Sequence, residues 1–453
     1  MLRLIFNDLR LNLWQWFGPL VVITAASSVI AFFAALLETG AASGGNAQSL
    51  AETTTRIVLP FSAVSAIVIL NSVSNLSVAL QHRDYALWQL VGIQPKTISM
   101  IVLSQLLILS IVGSIAGCLI MRPLIDPLFH FFFDPGHSFD GFETRFGPVS
   151  IIFVMVGVIA IVLLSGARGA RRAARVPAIQ ALREPSAPRS RMGWLSSLLA
   201  VGTLIGIVSL VNAMFHQSNH GGITGSALLL GLLLSAFIAS AAPLFLPAVV
   251  QTWTALVPER LSAAWYLARH AARFKVSQTS AAISPLMIGI SLTGTAYTVT
   301  ATGDNAQHIR HGTANNYYGD IPIEQVTLLL GGPLILAAFG VAATIFISGR
   351  SRDRELALIR ASGSTNGTIT AVAILEAVIH VVTATILGLL VVFIVGVVTA
   401  LALSADAPGT LPSFALAPIS VVAGVGFLLV LLATVLPTIA SLRRDVPELL
   451  AAE

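Results

Sequence analysis

The sequence predicts an all-α polytopic membrane protein. Three observations carry that prediction: a composition too apolar for a water-soluble core, ten apolar runs of spanning length, and a polar hairpin written twice between such runs. Hydrophobic residues make up 56% and charged residues 10% of the 453 residues, and mean hydropathy is +0.88. A soluble domain carries about 25% charged residues. An apolar excess of this size needs lipid as its solvent, and a chain in lipid must satisfy its backbone internally. The single cysteine, Cys118, lies in an apolar run, so no intrachain disulfide forms.

The runs cover 15–38, 57–80, 99–121, 148–166, 194–213, 224–250, 280–299, 326–348, 369–403 and 417–440. A helix needs roughly 20 residues to cross the hydrocarbon. The run 369–403 is longer than one perpendicular span needs, so it is expected to tilt or to project beyond the bilayer. The first run is too long for a signal-peptide core and follows a stretch with Trp14 and Trp16. It reads as an interfacial helix leading into a retained span.

Arginine placement sets the expected orientation. The segment 167–192 holds Arg168, Arg171, Arg172, Arg175, Arg183, Arg189 and Arg191 against one acid, Glu184. It is expected in the cytoplasm, where it also suits anionic lipid. Counting spans outward places both termini, 81–98, 251–279 and 349–368 on the same side. The alternate loops carry acids such as Glu38, Asp126, Asp134, Asp304 and Asp320 and are expected outside.

The duplication relates 83–98, RDYALWQLVGIQPKTI, to 354–369, RELALIRASGSTNGTI. At an offset of 271, Arg83, Ala86, Leu87, Gly92, Thr97 and Ile98 meet Arg354, Ala357, Leu358, Gly363, Thr368 and Ile369, and Gly117 meets Gly388. Amphipathic stretches precede each half at 4–14 and 265–275. A basic segment and a Val-Pro follow each half, at Val176-Pro177 and Val446-Pro447. The expected plan is therefore a first unit over 1–192, two linking spans over 193–255 and a second unit over 256–453. The even number of inserted spans makes the two four-helix units parallel repeats.

The hairpin pattern, a span, then R-[DE]-x-A-L-x-x-x-x-G, then a long apolar helix, resembles the signature of FtsX-like permeases. These are membrane subunits of MacB-type (type VII) ABC transporters. The segment Arg354–Gly363 is the closer copy; the first carries Tyr85, Trp88 and Gln89 instead. The ten-span duplicated plan is similar to the bacitracin-exporter and lipoprotein-release branches. Here, however, the longest outer loops are only about 25 residues and leave no room for a folded outer domain.

The resemblance implies that two ATP-binding subunits dock at the cytoplasmic hairpins and hydrolyse ATP with Mg there. The chain itself contains no G-x-x-x-x-G-K-[ST] phosphate loop. It is read as a transporter subunit, not an enzyme, with no cofactor of its own. Coupling residues are expected at Arg83, Asp84, Leu87, Trp88 and Gly92, and at Arg354, Glu355, Leu358, Ile359 and Gly363. The apolar members, with Leu90, suit a groove on a partner, and the glycines suit helix ends. Glu376 and His380 stand i,i+4 within a run and face one side. They serve either helix packing or substrate and proton handling.

His130 and His137 frame HFFFDPGH, which reads as an interfacial aromatic belt in preference to a metal or haem site; no metal site is expected. No nucleic-acid module is present, and the net charge of +5 follows from the arginines. Three functions fit. The first is export or extraction of a lipophilic or amphipathic substrate (an antimicrobial peptide, drug or lipid) across a bacterial cytoplasmic membrane. The second is a non-transporting mechanotransmitter controlling a cell-wall hydrolase or a sensor kinase. The third is an ion-coupled transporter with no ATPase.

Overall fold

The computed structural model describes residues 13–43, 45–133, 144–173, 194–217, 220–258, 262–274, 276–311, 323–361, 363–405 and 407–442. Among them all regular secondary structure is helical, with no strand. The helices are α1 (Leu13–Ser43), α2 (Gly45–Leu80), α3 (His82–Leu90), α4 (Pro95–Met121), α5 (Ile125–Phe133), α6 (Pro148–Ala173) and α7 (Trp194–His216). They continue with α8 (His220–Ala255), α9 (Ala263–Phe274), α10 (Val276–His311), α11 (Ile323–Ala361), α12 (Asn366–Leu403) and α13 (Leu416–Leu442).

Each of the ten apolar runs falls on its own helix. Among the described residues, eight helices are long and apolar enough to cross a membrane. The other two, α7 and α11, contribute the shorter apolar stretches Ala200–His216 and Leu328–Thr344. The chain is a multi-pass membrane protein. Helix α12 has 38 residues, or roughly 57 Å at a rise of about 1.5 Å per residue. It is well over the ~30 Å of hydrocarbon, as the length of run 369–403 led us to expect.

Contacts group the chain along lines that differ from the sequence repeats. One compact unit is Met1–Pro188 with Glu324–Ser348; the other is Arg189–Ile323 with Gly349–Glu453. In the first unit, α1 packs on α2, α4 and α6, and α6 also packs on α2 and α4. The 324–348 part of α11 belongs here. Phe346 lies 5.6 Å from Phe17 of α1. Ile347 fills the space over Gly18, and Gly332 sits against Ser62 of α2 and Val29 of α1. In the second unit, α10 is the central helix and packs on α8, α12 and α13; α7 packs mainly on α8, and α9 lies against α12. The two linking helices thus belong to the second unit. Buried hydroxyls knit α8 to the rest of that unit: Ser235 meets Ser291 of α10 at 2.7 Å, and Trp253 Nε1 donates to Thr383 Oγ1 of α12 at 3.0 Å.

The first and third spans of each repeat pack in the same register. Gly117 of α4 lies so close to α1 that an added Cβ would come within 2.5 Å of Ser27 Cβ and 2.7 Å of the Thr24 carbonyl. Gly388 of α12 also lies against α10, where an added Cβ would come within 2.7 Å of Ile290 Cγ2. Pro19 and Pro285 stand inside α1 and α10, and aligning Pro19-Leu20 with Pro285-Leu286 puts Thr24 opposite Ile290. The glycines meet the same turn of the first span in both units. At Gly117 the backbone of the first span itself leaves no room for a Cβ, whereas at Gly388 the Ile290 side chain fills the space and the nearest backbone atom stands at 3.5 Å.

Candidate functional site

The first hairpin is a separate helix. The turn at Gln81 (φ −92, ψ 6) parts α2 from α3. Tyr85 is 1% exposed, its hydroxyl donates to Gln81 Oε1, and its backbone N–H bonds the Gln81 carbonyl at 3.1 Å. Trp88 packs edge-on to Tyr85 at 5.6 Å. The second hairpin has no such break. Arg352 and Leu356 replace Gln81 and Tyr85, and α11 runs unbroken through the hairpin to Ala361. The separate short helix exists only where the Tyr–Gln pair stabilises the turn.

Both hairpins close on a left-handed glycine. Gly92 and Gly363 hold φ of +92 and +94, the left-handed region that glycine enters without a Cβ penalty. Gly92 N donates to the Gln89 carbonyl at 3.0 Å and Ile93 N to the Trp88 carbonyl at 3.0 Å. That pair of bonds is a Schellman motif, which satisfies carbonyls at a helix end. Gly363 N donates to the Arg360 carbonyl at 2.9 Å, the same bond one repeat later.

The next helix then starts from an extended residue at the same position. Gln94 (ψ 144) precedes Pro95 at the head of α4, and Thr365 (ψ 154) caps α12. Thr365 Oγ1 accepts from Thr368 N at 3.3 Å. Proline at the first helical position and a threonine cap are two solutions to the same set of unbonded N–H groups.

The expected coupling residues divide as follows. Leu87 is 44% exposed, Leu90 51% and Val91 84%. Together they make an apolar knob at the end of α3. Val91 was missed from sequence because it lies past the amphipathic repeat, at the cap. Trp88 is half-buried against Tyr85 and braces the helix from within. Arg83, Asp84, Arg354, Glu355, Leu358 and Ile359 lie on helical backbone; their side chains fall outside the described set.

Glu376 and His380 share the buried side of α12, with Glu376 8% exposed. Against α12 lies α9, whose inward residues are Ala264, Trp265, Ala268, Arg269 and Ala272. Arg269 is 7% exposed. It was missed because it reads as one basic residue of an amphipathic stretch; its spacing of four from Trp265 places it on the apolar face. Of the loop histidines, His130 lies on α5, beside Phe129, Phe131, Phe132 and Phe133. Phe32 of α1 packs on Phe129 at 5.8 Å and Phe132 at 5.6 Å. His137 lies outside the described residues.

The profile of the FtsX-like permease C-terminal family matches the chain twice, over residues 56–178 and 328–446. The chain belongs to the FtsX-like permease family. Each matched segment begins on the span before a hairpin and ends on the last span of its repeat or just beyond it. The duplicated device described above is therefore the family's own unit, present as two copies in one polypeptide. No curated protein matches the chain.

Proposed function

We propose that this FtsX-like permease is the membrane subunit of an ABC transporter. ATP, with Mg, is hydrolysed on two separate ATP-binding subunits, and the chain uses that energy to export or extract a lipophilic or amphipathic molecule from the membrane. The observation that carries the reading is the repeated hairpin: two helix ends closed by left-handed glycines, each feeding a long apolar helix directly. A rigid hairpin of this kind passes force from a docked partner into a span. The exposed Leu87, Leu90 and Val91 supply the apolar anchors that a groove on such a partner takes up.

In this reading all ten helices that carry apolar runs span the cytoplasmic membrane of a bacterium. Both termini and both hairpins lie inside, as the arginines of 167–192 favour. The lack of room for a folded outer domain favours a substrate that arrives through the bilayer.

The test is reconstitution of the chain with a co-expressed ATP-binding subunit in lipid vesicles. The expected result is ATP hydrolysis stimulated by an amphipathic peptide, drug or lipid, with movement of that molecule. Stimulated hydrolysis with no movement assigns the chain to mechanical signalling instead. Activity without any ATP-binding subunit assigns it to ion-coupled transport.

A further inference from the structure

Arg269 and Glu376 are opposite charges, each more than nine-tenths buried, on two helices that pack together. Neither is without a partner, and nor is His380 one turn above Glu376. Two contacts fix the neighbourhood. Trp253 at the end of α8 donates to Thr383 of α12 at 3.0 Å, and the same indole meets Trp265 of α9 edge-on at 6.2 Å. Trp265 is one turn from Arg269, and Thr383 is two turns from Glu376 on the same face of α12. The inward side of α9 therefore approaches the side of α12 that carries Glu376, His380 and Thr383. A single buried charge at this depth is strongly unfavourable, whereas a matched pair is tolerated.

We propose that Arg269 and Glu376 form a buried ion pair that latches the amphipathic helix α9 to α12, so that α9 moves with the helix fed by the second hairpin. The role is confined to the second repeat: the residue of α4 that corresponds to Glu376 is Gln105, which is buried and neutral. The pairing stands on burial and packing alone; the claim that it transmits movement rests on the proposed function.

The pairing is tested on the purified permease chain in detergent, with no ATPase present. Glu376→Gln and Arg269→Gln each lower the thermal midpoint, by roughly 5 °C or more. The double Gln variant is expected to lose far less than their sum, and the charge swap Arg269→Glu with Glu376→Arg to recover much of the loss. Additive losses, or a swap no better than the worse single variant, overturn the pairing. If a Gln variant does not accumulate, the same cycle is run with Arg269→Lys and Glu376→Asp. Hydrogen exchange supplies a second measurement: Glu376→Gln should speed exchange at 263–274 and leave α10 unchanged, and unchanged exchange at 263–274 counts against the latch.

Transmission is tested in the permease–ATPase complex. ATP should alter exchange in α9 of the wild type and not of Glu376→Gln, with the swap restoring the response. An α9 that ignores ATP while the thermal cycle shows coupling overturns transmission alone. Failure of any ATP-binding subunit to bind overturns the proposed function and leaves the pairing standing.

Discussion

In the first repeat the end of α1 is fastened to the start of α6 by a carboxylate. Glu38 Oε2 accepts from Gly147 N at 3.0 Å and from Ser150 N at 3.2 Å, and also from the Ser150 hydroxyl. Thr39 beside it accepts from Arg145 N at 2.9 Å. The matching junction of the second repeat, from α10 to the chain before α13, is bridged by uncharged groups. Thr302 Oγ1 accepts from Ser413 N at 3.1 Å, and Asn305 Nδ2 donates to the Leu411 carbonyl at 3.1 Å.

By the alignment of the proline-marked spans Asp304 corresponds to Glu38, and Asn305 to Thr39. An acid survives at the same place in both, but in the second repeat its neighbours Thr302 and Asn305 bond across the junction. The hairpins share a left-handed glycine whose N–H bonds the carbonyl three residues back, whereas the junctions at the opposite ends of the spans are fastened by different groups. The glycine turn that closes each hairpin is duplicated; the side-chain fastening at the junctions has diverged.

That contrast can be broken experimentally, most forcefully at Glu38. Glu38→Ala leaves two backbone N–H groups at the head of α6 without their acceptor, while the Ser150 hydroxyl keeps the Ala34 carbonyl at 3.0 Å. Bonds to a charged group are worth roughly 1.5–3 kcal/mol, so a loss of about 3 kcal/mol is expected in denaturant or thermal unfolding. Thr302→Val in the second repeat should cost nearer 1 kcal/mol. Equal losses would erase the distinction.

The next effect tests the likeness. Gly117→Val and Gly388→Val both drive a side chain into the first span and should each cost about 2 kcal/mol, within the usual range for overpacking. A large difference between them would mean that the shared register does not carry the same packing. Smaller again, Gly92→Ala and Gly363→Ala should each cost about 1 kcal/mol through the positive φ, and by equal amounts. Least of all in stability, Leu87→Asp on the exposed knob should leave unfolding unchanged. It should weaken binding of the ATP-binding subunit about tenfold, a difference of about 1.4 kcal/mol, read by co-purification or by surface-plasmon titration.

The spans and hairpins were legible because each is written in local pattern: apolar runs of spanning length, and a glycine two residues past a helix end. The repeat of Gly117 as Gly388 was likewise visible. The shared register of the first spans was not, because five residues of length variation between the repeats hide Pro19 and Pro285 at an offset of 266 from a comparison made at 271. The break between α2 and α3 coincides with a side-chain bond between Tyr85 and Gln81, and tyrosine at that position reads only as added bulk. Arg269 and Glu38 were legible as charges but not as buried or capping groups, since their partners lie far along the chain. The assignment of 324–348 to the first unit depends on long-range packing of small residues such as Gly18 and Gly332, which leaves no periodic trace.

The unbroken course of α12 has a mechanical corollary. Its close contact at Gly388 stands 22 residues from Asn366 and 15 from Leu403, arms of roughly 33 Å and 22 Å at about 1.5 Å per residue. A rigid rod pivoting at Gly388 delivers to its far end about two-thirds of any sideways displacement applied at the hairpin, in the opposite direction. In α4 the equivalent pivot, Gly117, is only 4 residues from the end of the helix at Met121. Beyond it Arg122-Pro123 interrupts the helix before α5. The far arm there is about 6 Å, and the same tilt arrives as a small fraction of its input. Any tilt of the two helices would therefore reach their far ends in unequal measure.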